Sequence, residues 1–156
     1  YPSLKKHIGW HRDLPDTQKK VVESIGAAIA CALPDAPLVL AADEAIANND
    51  RNLGNILWDG TDHAYVDHER TLEIVPHLQN LMATFSYISN TMTEIEKSAV
   101  AAALTLSAEP LQAIEVPNGI DVMPLVEYVE KRIPTLAMRV LDRFPKPKDL
   151  LEFPPP

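Results

Sequence analysis

Leu38-Val39-Leu40-Ala41-Ala42-Asp43-Glu44-Ala45-Ile46-Ala47-Asn48-Asn49-Asp50-Arg51-Asn52-Leu53-Gly54-Asn55-Ile56-Leu57-Trp58, followed after a polar break by His63-Ala64-Tyr65-Val66-Asp67-His68, decides the reading of this chain. Leu38 to Ala47 is apolar and alanine-rich, as a packed helix is, and Asn48-Asn49 is a natural start for a loop. Asn55-Ile56-Leu57-Trp58 and His63-Ala64-Tyr65-Val66 read as short strands, with Asp59-Gly60-Thr61-Asp62 between them and its Asp-Gly pair a strong hairpin turn signal. Such a hairpin predicts that Asn55 and Asp67 come close together, with Asp50 in the loop beyond the helix. Asn55 stands five residues after Asp50, and Asp67 twelve after Asn55. Taken singly, an Asp or Asn beside a hairpin does no more than cap a turn. The ordered run of helix, Asn-Asp-Arg, apolar strand, turn and Val-Asp-His points instead to a site.

Phosphoryl transfer from a nucleotide needs a carboxylate to orient the acceptor hydroxyl, and an amide oxygen with a second carboxylate to hold magnesium against the phosphates. Asp50, Asn55 and Asp67 are those three groups, and the five-residue spacing is that of the catalytic carboxylate and metal asparagine in protein kinases. The segment from Asp43 to Leu57, with Val66-Asp67-His68 behind it, resembles the HipA-like branch of the kinase superfamily and, more distantly, phosphoinositide kinases. Gly54-Asn55-Ile56-Leu57 with Asp67-His68-Glu69 also looks like the aminoglycoside and choline kinase pattern. The likeness covers roughly residues 38 to 72. It implies Asp50 as catalytic base, Asn55 and Asp67 as the residues holding Mg2+ and the phosphates of ATP, and His68 packed or hydrogen-bonded behind the metal aspartate. Arg51 joins the catalytic set, either holding the loop through a carboxylate or touching phosphate. Glu69 departs from the glycine that follows the metal aspartate in many HipA-like and protein kinases.

The rest of the chain reads as helix. Residues 1 to 15 look irregular; His11-Arg12-Asp13-Leu14 spells the protein-kinase catalytic tetrapeptide, but Gln18 stands where its metal asparagine belongs, so it is a decoy. Asp16 is placed to cap a helix through Leu33, with Val21, Val22, Ile25, Ala28, Ile29, Ala32 and Leu33 at helical spacing, packed under the catalytic loop. Pro76 can open a helix to about Ser89, and Thr93 with Glu96 forms a capping-box pattern before an alanine-rich helix to about Ser107. After a turn at Asn118-Gly119, Asp121 can cap a further helix with Val122, Leu125, Val126, Val129 and Ile133 as its stripe. Pro134 should kink or restart it, and Leu136 to Phe144 makes one more amphipathic stretch. Residues 145 to 156 read as a proline-rich tail. The expected fold is mainly α with one small β-hairpin: a single helical domain over residues 1 to 150, carrying its loop and hairpin at 48 to 69, as in the helical C-terminal lobe of a protein-kinase-like fold.

Composition bounds the function. The chain has 156 residues and a formal net charge of −8, which argues against nonspecific nucleic-acid binding, since that affinity comes from Lys and Arg on phosphates. Cys31 is the only cysteine; it lies on an apolar helix face and is best read as a buried small hydrophobe, consistent with a cytoplasmic location. No apolar run reaches the length needed to span a bilayer. The residues before Asp50 hold no glycine cluster, and 16 to 33 read as helix, so the strand-rich lobe that would cover a nucleotide is not expected within them; Tyr1 as first residue leaves two alternatives, a piece of a longer product or a stand-alone C-terminal lobe. The expected partners are a nucleotide and a hydroxyl-bearing acceptor, a protein among the candidates. Two rivals remain: a degenerate or lobe-less kinase relative that binds a protein partner without catalysis, and a hydrolase holding a transition metal through His63, Asp67, His68 and His77.

Overall fold

The computed structural model describes residues 1–72, 79–108 and 121–144. Among them the chain is mainly helical with one two-stranded antiparallel hairpin. In chain order the elements are α1 (Leu4–His7), α2 (Asp16–Ala32), α3 (Ala36–Ala45), β1 (Ile56–Trp58), β2 (His63–Tyr65), α4 (Leu81–Ile88), α5 (Met92–Ala108), α6 (Met123–Arg132), a 3-10 turn at Ile133–Thr135, and α7 (Leu136–Leu141).

The centre is α3. Its alanines and Leu40 leave no bulky side, so neighbours can pack around it, and Ala36, Leu40, Ala41, Asp43, Glu44 and Ala45 are all buried. It packs against α5 and α7, and more lightly against α2 and α4. On α5 the buried residues are Ile95, Ala99 and Ala103, four apart along one face. Apolar side chains from α2 through Phe144 join one hydrophobic cluster around this contact. Pro134 does restart the last helix, through the 3-10 turn that precedes α7.

The helix α2 lies where the sequence puts it but turned about its axis. Gly26, Ala27, Ala30 and Cys31 are buried, while Val21 is 60% and Ile25 49% exposed. The small residues face inward because the neighbours come very close: a Cβ on Gly26 would lie 2.6 Å from Leu53 Cδ1 and 2.7 Å from Ile8 Cδ1. Thus α2 packs under the loop through its glycine, as expected for the helix though not for its apolar stripe. Gly26→Val should lower stability by about 1–3 kcal/mol through overpacking, read as a reduced urea midpoint. An unchanged midpoint would show that Leu53 gives way freely.

Several helix ends differ from the sequence reading. Pro15, not Asp16, occupies the cap of α2, and Asp16 sits in the first turn, where its carboxylate meets Lys19 at 3.4 Å. The helix α5 begins at Met92, so Thr93 and Glu96 lie inside it. The start of α4 is held by Asn80, whose side chain accepts from the Ala83 amide. In α6 only Val129 is buried, though Asp121 Oδ1 does accept the Met123 amide at 3.0 Å. Pro76, His77, Leu78, Asn118-Gly119 and the proline-rich tail lie outside the described residues.

The N-terminal segment, expected to be irregular, carries one short helix, α1, and a bridge to the hairpin. Ser3 caps α1 by accepting from the Lys6 amide, Leu4 is fully buried, and Ser3 pairs as an isolated antiparallel bridge with Leu57 of β1. The Trp58 amide donates to Pro2 O at 3.0 Å and the Lys5 amide to Leu53 O at 3.0 Å. Residues 2 to 5 therefore line the outer side of β1 and the end of the loop. No single helix among the described residues is long and apolar enough to cross a membrane, and α2 and α3, taken together, are bent by 93°.

Candidate active site

The helix α3 ends in a Schellman motif: the Ala47 amide donates to Glu44 O and the Asn48 amide to Asp43 O, at 3.3 and 2.8 Å. This takes Ala47 to φ 53°, a left-handed conformation that usually calls for glycine. The chain leaves the helix abruptly, with Asp43 and Asn48 facing each other: Asn48 Nδ2 donates to Asp43 Oδ1 at 2.8 Å. Asn48 Oδ1 then accepts the Asp50 amide at 3.1 Å.

Beneath the loop lies Arg51, 1% exposed. A guanidinium has five N–H donors and no acceptor, and each donor here has an acceptor. Nε and Nη2 hold Asp43 Oδ2 and Oδ1 at 3.0 and 2.9 Å, a bidentate buried pair. Nη1 reaches Asn55 O at 3.3 Å and Val66 O at 3.0 Å. Nη2 also meets His68 Nδ1 at 3.2 Å; since arginine cannot accept, Nδ1 must, which puts the neutral ring's proton on Nε2. Of the two roles open to Arg51, the structure shows the first: it ties helix, loop and both ends of the hairpin together and presents no donor to a phosphate. His68 is accordingly hydrogen-bonded to Arg51.

The rest of the loop is held by its asparagines. Asp50 O accepts Asn55 Nδ2 at 2.7 Å, Asn52 Nδ2 at 3.3 Å and the Asn52 amide at 2.8 Å. Asn52 Nδ2 also meets Asp50 Oδ1 at 3.2 Å, and its Oδ1 accepts the Gly54 amide at 2.8 Å. A Cβ on Gly54 would stand 2.7 Å from that oxygen, so a larger residue there would displace the Asn52 amide. The Asp50 carboxylate is partly exposed, its main chain fixed from both sides.

The hairpin carries the other two residues. Its register pairs Ile56 with Tyr65 and Trp58 with His63, and the Val66 amide extends the ladder to Asn55 O at 3.0 Å. Asn55 thus lies opposite Val66, one register position from Asp67, as the sequence predicts. The four-residue turn is closed by Asp59 Oδ1, which accepts the Thr61 and Asp62 amides at 2.9 and 2.8 Å; these bonds hold the Asp59 carboxyl below its ordinary range. Asp67 sits at φ 61°, turning the chain out of the ladder with its side chain exposed.

Fit to magnesium turns on which oxygens are left. Asp50 O can only accept, so the Asn55 amide is oriented with nitrogen toward it. Asn55 Oδ1 has no hydrogen-bond partner among the described residues, and no buried side-chain nitrogen or oxygen among them lacks one; this oxygen therefore reaches solvent. The Asp67 carboxylate likewise has no partner there. Oxygen ligands of this kind suit Mg2+, which takes one or two carboxylates and fills its remaining positions with water and phosphate. No group of three or more His, Cys, Asp or Glu side chains is gathered for a metal among the described residues. His63 is engaged elsewhere, His68 is on Arg51, and His77 lies outside the described residues.

What His63 engages is Asp35, between α2 and α3. His63 Nε2 lies 2.7 Å and Tyr65 Oη 2.9 Å from Asp35 Oδ1, pinning β2 to the helices. Burial, then the hydrogen bond and charge of Asp35, push the Tyr65 phenol far above its ordinary value. A group whose folded value is raised contributes stability below its unfolded value, about 10 for tyrosine, and that contribution disappears as pH rises above it. Stability should fall above about pH 10 more steeply in the native chain than in Tyr65→Phe, measured by urea midpoints across the alkaline range; parallel curves would refute the assignment. Cys31 is buried, and burial raises its thiol despite opposing hydrogen bonds from Ser89 and Thr91, as fits a packing residue.

Two buried acids escaped the sequence reading as functional groups. Asp43 and Glu44 were visible as an adjacent acidic pair in an otherwise apolar helix, and charges in such a place require partners. Asp43 takes Arg51. Glu44, 0% exposed, takes Arg132 and Arg143: Arg132 Nη2 to Oε1 at 3.0 Å, Arg143 Nε to Oε2 at 2.9 Å and Nη2 to Oε1 at 3.0 Å. Arg132 also donates to Glu44 O through Nε and Nη2 at 3.1 and 2.7 Å.

Comparison of the chain with family models, with curated proteins and with solved structures gives no match.

Proposed function

We propose that this chain carries the catalytic lobe of an ATP- and Mg2+-dependent phosphotransferase that moves the γ-phosphoryl group to a hydroxyl acceptor. The observation that carries the reading is the state of three side chains on one clamped loop and hairpin. Arg51, Asn48 and Asn52 are occupied in holding the loop through side-chain and backbone partners, while Asp67 is exposed, Asp50 partly exposed, and Asn55 Oδ1 without a partner among the described residues. Such fixed groups suit a reaction whose catalysis is mostly positioning and charge stabilisation.

Asp50 orients the acceptor hydroxyl and receives its proton late in transfer. Asn55 Oδ1 and the Asp67 carboxylate hold magnesium, which when bound neutralises the phosphates. Arg51 is a positioning residue that keeps Asp50, Asn55 and Asp67 in register.

The test separates these roles in the full-length protein. Asp50→Asn should cut phosphate transfer by about 10²–10⁴-fold while the Mg-ATP thermal shift persists. Asp67→Ala should abolish that shift. Transfer that survives Asp50→Asn would sink the assignment of this site.

A further inference from the structure

Beside the loop, on the side facing α2 and α4, lies a cavity of about 370 Å³. Leu53, Leu81, Phe85 and Ile88 make its apolar floor, and Asn52 forms the wall toward the site. That wall is one hydrogen bond from the catalytic carboxylate, because Asn52 Nδ2 lies 3.2 Å from Asp50 Oδ1. A group lodged in the cavity would place whatever is attached to it next to Asp50.

The rim adds a charge. Lys5, whose backbone amide donates a hydrogen bond to Leu53 O in the loop, holds its ammonium 3.8 Å over the Trp10 ring. The nearest rim carboxylate, Glu23, accepts from Trp10 Nε1 at 3.1 Å. Lys5 has no ion pair among the described residues, in a chain whose net charge is −8. The cavity therefore offers an apolar floor and a cation at its edge, beside a carboxylate suited to a hydroxyl.

Resting on the phosphotransfer reading above, we propose that this cavity is the acceptor subsite, and that the acceptor is a peptide segment. It would place an apolar side chain on Leu53, Phe85 and Ile88, set an acidic side chain against Lys5, and present a neighbouring hydroxyl to Asp50. A peptide fits because three different groups must be displayed at three places around one cavity: its apolar floor, Lys5 at its rim and Asp50 beyond Asn52. A membrane lipid is disfavoured: the space beside Asn52 holds a large side chain rather than paired acyl chains.

The probe is a blocked pentapeptide, Glu-Leu-Ser-Leu-Glu, whose symmetry covers both chain directions. Titrated into the ¹⁵N-labelled full-length protein, it should shift the Trp10 indole resonance saturably. Replacing both leucines by alanine should weaken binding about tenfold or more, and replacing both glutamates by glutamine about threefold. Lys5→Met should erase the glutamate preference and keep the leucine preference. In parallel, the Mg-ATP thermal shift and phosphate transfer to the serine are measured; transfer should show the same leucine preference. If Mg-ATP gives no shift, the phosphotransfer reading falls, and the acceptor assignment with it, whatever the peptide does. If Mg-ATP gives a shift but Trp10 does not respond, or Lys5→Met leaves the glutamate preference intact, the subsite alone is overturned.

Discussion

Asp43→Ala should remove about 3–5 kcal/mol of stability, at the upper end of that range. The carboxylate accepts two bonds from Arg51 and one from Asn48, and both members of the ion pair are almost fully out of water, at 1% and 2% exposed. Without Asp43 the guanidinium remains buried with no counter-charge, since its other acceptors are two carbonyls and one imidazole nitrogen. Against a typical domain stability of about 5–15 kcal/mol, this is a large loss. The cost arises from an orphaned charge more than from the bond itself, so removing both charges should restore much of it. Asp43→Leu combined with Arg51→Met should therefore be more stable than Asp43→Leu alone. Urea unfolding of the variants measures both statements; a loss under about 1 kcal/mol in Asp43→Ala would mean that water reaches Arg51.

Glu44→Ala should cost about 3 kcal/mol, less than Asp43→Ala although the carboxylate is more deeply buried. Its partners decide this: Arg132 and Arg143 are 13% and 23% exposed, so both can regain some water once the carboxylate is gone. The hydrogen bond to Glu44 raises the Arg143 guanidinium further, against the lowering effect of its burial. Damage should fall on the far end of the chain. Amide exchange protection is expected to drop in α6 and α7 and to persist in the hairpin, because Arg132 and Arg143 belong to the C-terminal segment alone. Equal loss everywhere would indicate that the helices and the hairpin unfold as one unit.

The secondary structure that matters here was legible because its signals are local. The alanine-rich run before Asn48, the Asp-Gly turn and the alternation around it place α3 and the hairpin within one or two residues, and the hairpin alone implies that Asn55 lies within one register position of Asp67. What could not be read was orientation and partnership. The bulky residues of α2 suggest one buried stripe, but the close approach of Leu53 and Ile8 selects the face with Gly26 instead. The placing of residues 2 to 5 beside β1 depends on a bridge to Leu57, far along the chain, which no local pattern announces. Holding the loop through a carboxylate was one of the two roles legible for Arg51, and Asp43 fills it; its bonds to the main-chain carbonyls of Asn55 and Val66 were not legible, because no side-chain pattern announces them.

The bridge between Ser3 and Leu57 also bears on when the site can form. A two-stranded hairpin by itself is marginal in water, and this one is steadied by residue 3 on one side and by Asp35 on the other. Closing those contacts means joining points well separated along the chain, a step whose entropic cost comes before any reward. The helices can condense first on short-range contacts, leaving Asp50 and Asp67 to come into register late. Folding followed through Trp58, whose amide donates to Pro2 O and whose ring meets the His7 ring, would then lag behind the gain of helical signal.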